Sequence, residues 1–235
     1  MRVSVVIPTR NEAESIGRVL ADLPSGLVTE VIVVDCNSTD GTPEIAARMG
    51  ARVISEARRG YGRACLTGIA AANAPDVVVF LDGDYSDRPA ELPLLLAPIA
   101  EGRADITIGS RVARPRTPGA MPWHQWFGNW LAAKLVTSLY GIKITDLGPF
   151  RAARAEVLRA LALEETTYGW AVEIILKGAL QRFRVVEVPV SYHLRIGQSK
   201  ISGTVKGTIG AAWFILSRIA FYYFRPRKTE VPRSA

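Results

Sequence analysis

The residues with the most evident chemistry are Asp82 and Asp84, separated by Gly83 and following directly on the apolar run Val77–Leu81. On extended backbone, two side chains one residue apart point the same way, and glycine lets the chain turn sharply between them. Two carboxylates at a strand end are hard oxygen donors suited to Mg2+ or Mn2+, which completes its shell with phosphate oxygens and water. Asp-Gly is equally a common solvated turn, so the pair alone leaves metal site and plain turn open. Asp146, beside Gly148 and Pro149, is either a base within about 3 Å of a hydroxyl proton or a group that orients its loop or pairs with an arginine. Glu173 lies among Trp170, Val172, Ile174 and Ile175 and must be paired or functional. Arg195-Ile196-Gly197-Gln198-Ser199-Lys200 sets two cations around a glycine, as a grip on a diphosphate or as a basic surface loop. Arg58-Arg59-Gly60-Tyr61-Gly62 reads as a loop over a base or as a helix start; its glycines are too close for a dinucleotide fingerprint.

These residues must be positioned by the elements around them. Val3–Ile7 reads as a buried parallel strand, which Pro8 is expected to stop. Asn11 is placed to cap a helix with Ile16, Val19, Leu20 and Leu23 on one face, ended by Pro24-Ser25-Gly26. Further strands are expected over Val31–Val34, near Arg52–Ile54, over Asp76–Leu81, over Asp105–Ile108 and over 184–190. Helices are expected over 42–49, 62–73, 89–101, 124–139, 154–161 and 169–181, with a loop at 145–151. The alternation specifies an α/β fold, a mostly parallel central sheet with helices on both faces. Ligands of such sheets sit beyond the carboxyl ends of the strands. The polar turns 35–41 and 82–87 fall at such ends and should face one crevice. Trp123, Trp126, Phe127 and Trp130 read as packing in preference to a sugar platform, with a long apolar chain as their other use. There is no internal repeat, low-complexity tract or clear linker.

Of the 235 residues, 49% are hydrophobic and 22% charged, which excludes disorder, collagen and coiled coil. Cys36 and Cys65 are too few for a disulfide framework and point to a reducing compartment. With His124 and His193 they offer no zinc spacing. Residues 1–100 carry 9 Lys/Arg against 13 Asp/Glu, and the remainder 20 against 9. The basic second half suits phosphates of a substrate, an anionic membrane or nucleic acid; no aromatic-basic sheet signature supports the last. Met1-Arg2 runs directly into the first strand, so no secretory signal is expected. Lys206 and Arg218 bracket about eleven uncharged residues, short of the roughly 20 that span a bilayer. Tyr222, Tyr223 and Phe224 precede Arg225, Arg227 and Lys228, the pattern of an amphipathic helix lying in a membrane interface. A buried terminal helix or a dimer partner is the alternative.

Four segments, in this order and spacing, resemble the family 2 glycosyltransferases of the GT-A fold. They are Val5-Val6-Ile7-Pro8-Thr9-Arg10-Asn11-Glu12, Val33-Val34-Asp35-Cys36-Asn37-Ser38-Thr39-Asp40-Gly41-Thr42, Leu81-Asp82-Gly83-Asp84 and Ile108-Gly109-Ser110-Arg111. Thr145-Asp146-Leu147-Gly148-Pro149-Phe150-Arg151 and the Arg195–Lys200 run bring the resemblance closest to the dolichyl- or polyprenyl-phosphate mannose or glucose synthase group. It runs from about residue 3 to 203. It implies a GT-A-like domain over 1–203, with 204–235 a membrane-interfacial or dimerising helix and tail. It implies that Pro8, Arg10 and Glu12 line the base and ribose pocket and that Asp35 contacts the nucleoside. Asp82, Gly83 and Asp84 would flank the diphosphate, with Asp82 and Asp84 as metal ligands, Asp84 the firmer. Arg195 and Lys200 would neutralise donor phosphates; Arg111, Ser199 and Lys200 would serve the acceptor; Asp84, Arg111 and Asp146 would carry catalysis. The chain departs from the pattern at Arg10, where Tyr is frequent, at Cys36, where a second Asp is usual, and at Ser86, where related synthases have a Gln metal ligand. Helix 124–139 offers no arginine to an acceptor phosphate, only His124 and Lys134.

The sequence thus predicts an inverting transferase, dependent on Mg2+ or Mn2+. It would move a hexose from a nucleotide sugar, UDP-glucose or GDP-mannose, to a polyprenyl phosphate. The protein would be cytoplasmic, peripheral on the membrane face, without a nucleic-acid partner, its oligomeric state left open. A diphosphate leaves readily only when its charge is screened, and a phosphate acceptor is already ionised near pH 7, so it needs no base. The rivals are transfer to a hydroxyl of a surface glycan or small metabolite, and a non-catalytic nucleotide- and membrane-binding partner protein.

Overall fold

The computed structural model describes residues 1–114, 116–197 and 205–224, with side-chain positions in the last segment from Trp213 onward. In chain order the elements are β1 (Val3–Thr9), α1 (Ile16–Ala21), β2 (Glu30–Asp35), α2 (Thr42–Arg48), β3 (Arg52–Ser55), α3 (Tyr61–Ala71) and β4 (Val77–Phe80). A 3-10 turn at Pro89–Glu91 leads into α4 (Leu92–Ala100), followed by β5 (Ile106–Ser110) and α5 (Trp123–Tyr140). The chain continues through β6 (Arg151–Arg154), α6 (Ala155–Leu161), α7 (Trp170–Leu180), β7 (Val185–Pro189) and α8 (Val205–Phe224).

The strands form one sheet in the order β3-β2-β1-β4-β6-β5-β7. Its pairings are parallel except those of β6, which runs antiparallel to both β4 and β5. Alternate residues serve two cores, as the pleat requires. Val6, Ile32, Val34, Val78 and Phe80 pack with residues of α3, α5, α6, α7 and α8. Val5, Ile7, Val33, Val79 and Leu81 pack with α1, α2 and α4. Helices on both faces explain the near-continuous apolar strands.

Three local expectations are corrected. Pro8 does not stop β1, which runs on to Thr9. Pairing with β4 ends at Val6↔Phe80, so the missing Pro8 N–H faces no ladder partner. Asn11 caps no helix. It sits at φ 53, and α1 begins only after Ser15. The stretch 151–154, expected to run from the end of the loop 145–151 to the start of the helix 154–161, is β6. Two alanines between two arginines carry no strand signal; the gap between β4 and β5 makes this segment a strand.

The exposure of α5 also departs from expectation. Only Ala132, Ala133 and Val136 of this helix are buried, while Trp123, Trp126, Phe127 and Trp130 are 78%, 42%, 49% and 42% exposed. They are not core packing. Beside α5 lies α8, held by Tyr140 donating to the Ile219 carbonyl (2.6 Å) and by Tyr222 donating to Glu173 Oε1 (2.9 Å). Ile219 and Tyr222 face inward, whereas Trp213, Phe214, Phe221, Tyr223 and Phe224 are exposed. Among the described residues no helix is long and apolar enough to cross a membrane.

Candidate active site

The segments that follow β1, β2, β4, β5 and β7 leave the sheet on one side. The loop preceding antiparallel β6 joins them there. This edge gathers Arg10 and Glu12, Asp35, Asp82 and Asp84, Arg111, Asp146 and Arg195. A parallel sheet offers its crevice at this place.

On the donor side the turns after β1 and β2 are knitted together. The Ser38 N–H donates to Asp35 Oδ2 (2.9 Å), and the Ser38 hydroxyl donates to Oδ1. Asn11 accepts from the Thr39 N–H (2.8 Å), and its own N–H donates to Ser38 Oγ (2.8 Å). The Glu12 N–H reaches Thr42 Oγ1 (2.8 Å). Asp35 is buried and Arg10 and Pro8 are partly exposed. Arg10 lies near Cys36, whose thiol is pushed up by burial and by Asp35 and Glu56, Arg10 opposing.

At the crevice floor, Gly83 packs so closely on β1 that an added Cβ would stand 3.0 Å from Thr9 Cγ2. Asp84 is 6% exposed. Its Oδ1 accepts from the Ser86 hydroxyl (2.6 Å) and the Ser86 N–H (2.9 Å). Ser86 therefore orients Asp84 and leaves Oδ2 toward the crevice. Asp82 is enclosed by protein yet reachable through the crevice; burial and the charge of Asp84 push its carboxyl up to about 7. The Tyr61 hydroxyl faces Asp82 and is pushed well above its ordinary value by burial and by the Asp82 charge.

Two adjacent carboxylates that resist joint ionisation are a donor set in need of a cation. Among the described residues no third His, Cys, Asp or Glu completes a metal cluster. That fits Mg2+ or Mn2+, which is commonly held by one or two carboxylates plus substrate phosphates, and does not fit an all-protein cage. Asp82 and Asp84 would hold the ion, and when bound it would supply Lewis-acid screening of a diphosphate.

On the far side, Arg111 and Asp146 form a buried bidentate pair. Arg111 Nε reaches Asp146 Oδ2 at 2.9 Å and Nη2 reaches Oδ1 at 2.8 Å, while the Arg111 N–H adds a third bond at 2.7 Å. Burial opposes the Asp146 charge, but Arg111 overrides it and holds the carboxyl below its ordinary value. Gly148 makes the approach possible; a Cβ there would stand 2.5 Å from the Gly109 carbonyl. The loop 145–148 is further fixed by Glu187, which accepts from the Thr145 and Asp146 N–H groups (both 2.8 Å).

Sequence reasoning missed four residues of this site. Asp87 is 1% exposed, and among the described residues neither of its oxygens has a hydrogen bond. Burial, with Asp82, Asp84 and Asp146 nearby and Arg111 opposing, pushes it well above the carboxylate range. Arg151 is fully buried with carbonyls alone as acceptors, those of Ala171 (2.6 Å), Leu147 (3.1 Å) and Gly148. It ties the Asp146 loop to α7. Tyr192 lies under the Arg111 guanidinium, 5.0 Å from ring centroid to Cζ. Glu187, on an edge strand, had no sequence signal. Glu173 is paired: it accepts from Lys177, Tyr222 and the Glu165 N–H. Ser199 and Lys200 lie outside the described residues.

Beside the Asp146 loop opens a cavity of about 480 Å3. Its walls include Trp126, Trp130, Asn129 and Thr145, with Lys134 and Lys143 as its cations.

A nucleotide-sugar transferase of the GT-A type is the class this sheet and crevice define. The match to the glycosyl transferase family 2 model covers residues 4–162, and the chain belongs to that family. It is 38% identical over 219 residues to an uncharacterised glycosyltransferase of Mycobacterium tuberculosis, covering 92% of this chain and 98% of that one. It is 37% identical to a dolichyl-phosphate hexose transferase of Haloferax volcanii, covering 85% and 86%. The sequence relatives thus place it with the polyprenyl-phosphate sugar transferase group. Glucosyl-3-phosphoglycerate synthase of M. tuberculosis, solved with Mn2+, UDP-glucose and phosphoglyceric acid, superposes with a TM-score of 0.72 at 26% identity, covering 93% of this chain and 80% of that one.

Proposed function

We propose that the protein moves a hexose from a nucleoside diphosphate sugar to a polyprenyl phosphate at a membrane surface, with Mg2+ or Mn2+ at Asp82 and Asp84. The donor nucleoside lies against Pro8, Arg10, Glu12 and Asp35, and its diphosphate against Gly83, Arg195 and Lys200. Arg111, Ser199 and Lys200 serve the acceptor phosphate.

The observation that carries the choice of acceptor is the Arg111–Asp146 pair. Both Asp146 oxygens are engaged by a guanidinium, and their proton affinity is depressed, so Asp146 is a poor base. Asp87 is 1% exposed, and burial pushes its carboxyl well above the ordinary value. With Asp146 so engaged, and with Asp82 and Asp84 taken as the metal seat, a crevice rich in cations suits a nucleophile that is already an anion. Asp146 then acts by positioning Arg111, whose Nη1 has no hydrogen bond among the described residues. The cavity bounded by two lysines and two tryptophans fits the phosphate-proximal end of an anionic lipid. The exposed aromatics of α5 and α8 suit the headgroup level of a bilayer. Sequence relatives that act on dolichyl phosphate support this reading.

The structural neighbour solved with phosphoglyceric acid favours a second acceptor, a small phosphorylated metabolite. The test offers labelled UDP-glucose or GDP-mannose to the protein with polyprenyl phosphate in vesicles, with metal or with chelator. Metal-dependent label in the solvent-extractable lipid is expected. Label that reaches only a soluble phosphorylated acceptor would overturn the lipid reading.

A further inference from the structure

The cations of the crevice are not held alike. Arg195 Nη2 stands 3.2 Å from Asp84 Oδ2 and 3.7 Å from Glu12 Oε1. Both distances are long for charge-assisted pairing. Among the described residues its buried Nε has no hydrogen bond, and the side chain is 31% exposed. The oxygen it faces is the one that Ser86 leaves free and that a metal would use. The backbone around Arg195 hangs on the same turn. The His193 N–H donates to the Ser86 carbonyl and the Ile196 N–H to the Asp84 carbonyl, both at 2.9 Å. A cation thus already rests at the metal-binding oxygen, on a segment tied to the aspartate turn, and loosely enough to leave.

We propose that Arg195 is an exchangeable counter-ion of the metal seat. In the empty crevice it neutralises Asp84 and Glu12. When a divalent ion and a nucleoside diphosphate bind together, the ion takes Asp84 Oδ2 and the guanidinium turns to the diphosphate oxygens. A metal ion alone must displace the arginine from Asp84 and leave it only the more distant Glu12 among the described residues. With the diphosphate present the arginine gains a new partner. Metal and nucleotide then strengthen each other's binding, and by linkage the effect is reciprocal. This inference rests on the metal-and-diphosphate reading of the crevice.

The test measures Mn2+ affinity from the free-ion EPR signal, without and with UDP, for the wild type, R195Q and R195K. Without UDP, R195Q should bind Mn2+ about three- to tenfold more tightly than the wild type, the scale of a part-exposed ion pair removed from a competitor. UDP should raise the Mn2+ affinity of the wild type by a larger factor than that of R195Q. The single ammonium of R195K does not span Asp84 and Glu12 as the guanidinium fork does. That variant should fall between the two, and it carries the test if R195Q does not fold. Equal or weaker Mn2+ binding by the variants without UDP, while the wild type binds Mn2+ normally, would overturn the exchange alone. A wild type that binds no Mn2+ even with UDP would overturn the metal reading, and the exchange with it.

Discussion

Asp146 and Asp84 each face an arginine across one crevice, yet the two pairs are built differently. Asp146 is fully buried and meets Arg111 through three bonds of 2.7–2.9 Å, on a loop fixed from behind by Glu187 and Arg151. Asp84 gives one oxygen to Ser86 and shows the other to an arginine that stands at 3.2 Å and is 31% exposed. The first pair has desolvated both charges, and both Asp146 oxygens are engaged by Arg111. It is framework, and its removal leaves an uncompensated buried charge. The second keeps a free edge on both partners and is cheap to separate in water. Under the proposed function, rigidity sits where an acceptor phosphate would need a fixed cation, and looseness where metal and donor would enter.

Substitutions at the two pairs can sharpen or break this contrast. D84N should lower transfer by about 10^3-fold, the scale of a lost transition-state electrostatic contact, with a thermal midpoint near that of the wild type. D146A should destabilise the fold by about 3–5 kcal/mol in urea unfolding; a neutral result would move Asp146 out of the framework.

The Asp146 effect has a defined pH sign. Its folded carboxyl lies below the ordinary 3.8, so its stabilisation is complete above that value and is lost as the pH falls toward the lowered one. The stability difference between wild type and D146A should therefore be flat from pH 5 to 8 and shrink below about pH 4. A difference that grows on acidification would contradict the pairing. R111K, which gives up the bidentate fork, should cost about 1–3 kcal/mol. R195K should change stability by less than about 0.5 kcal/mol, and comparable losses for the two lysine variants would erase the distinction.

Much of this was legible in the sequence because it is local. Apolar runs followed by polar turns mark the strands and the end of the sheet at which the crevice lies, and Asp82-Gly83-Asp84 announces itself by spacing. What was not legible depends on distant partners. Nothing near Asp146 shows that Arg111, 35 residues earlier, occupies both of its oxygens. The strand β6 has no strand-forming residues and exists because two neighbours leave a slot. The tryptophans of α5 look like core by type, and only the packing of α5 against α7 and α8 through its other face leaves them outside. Asp87 reads as one more polar turn residue until the fold buries it without partners.

The most direct measurement is a crystal structure of the protein with Mn2+ and UDP. Mn2+ is expected on Asp84 Oδ2, Arg195 turned away from that oxygen onto the diphosphate, and Arg111 still bidentate to Asp146. Arg195 still resting on Asp84 with the metal bound elsewhere, or Arg111 released from Asp146, would contradict the division of the crevice into one fixed and one exchangeable pair.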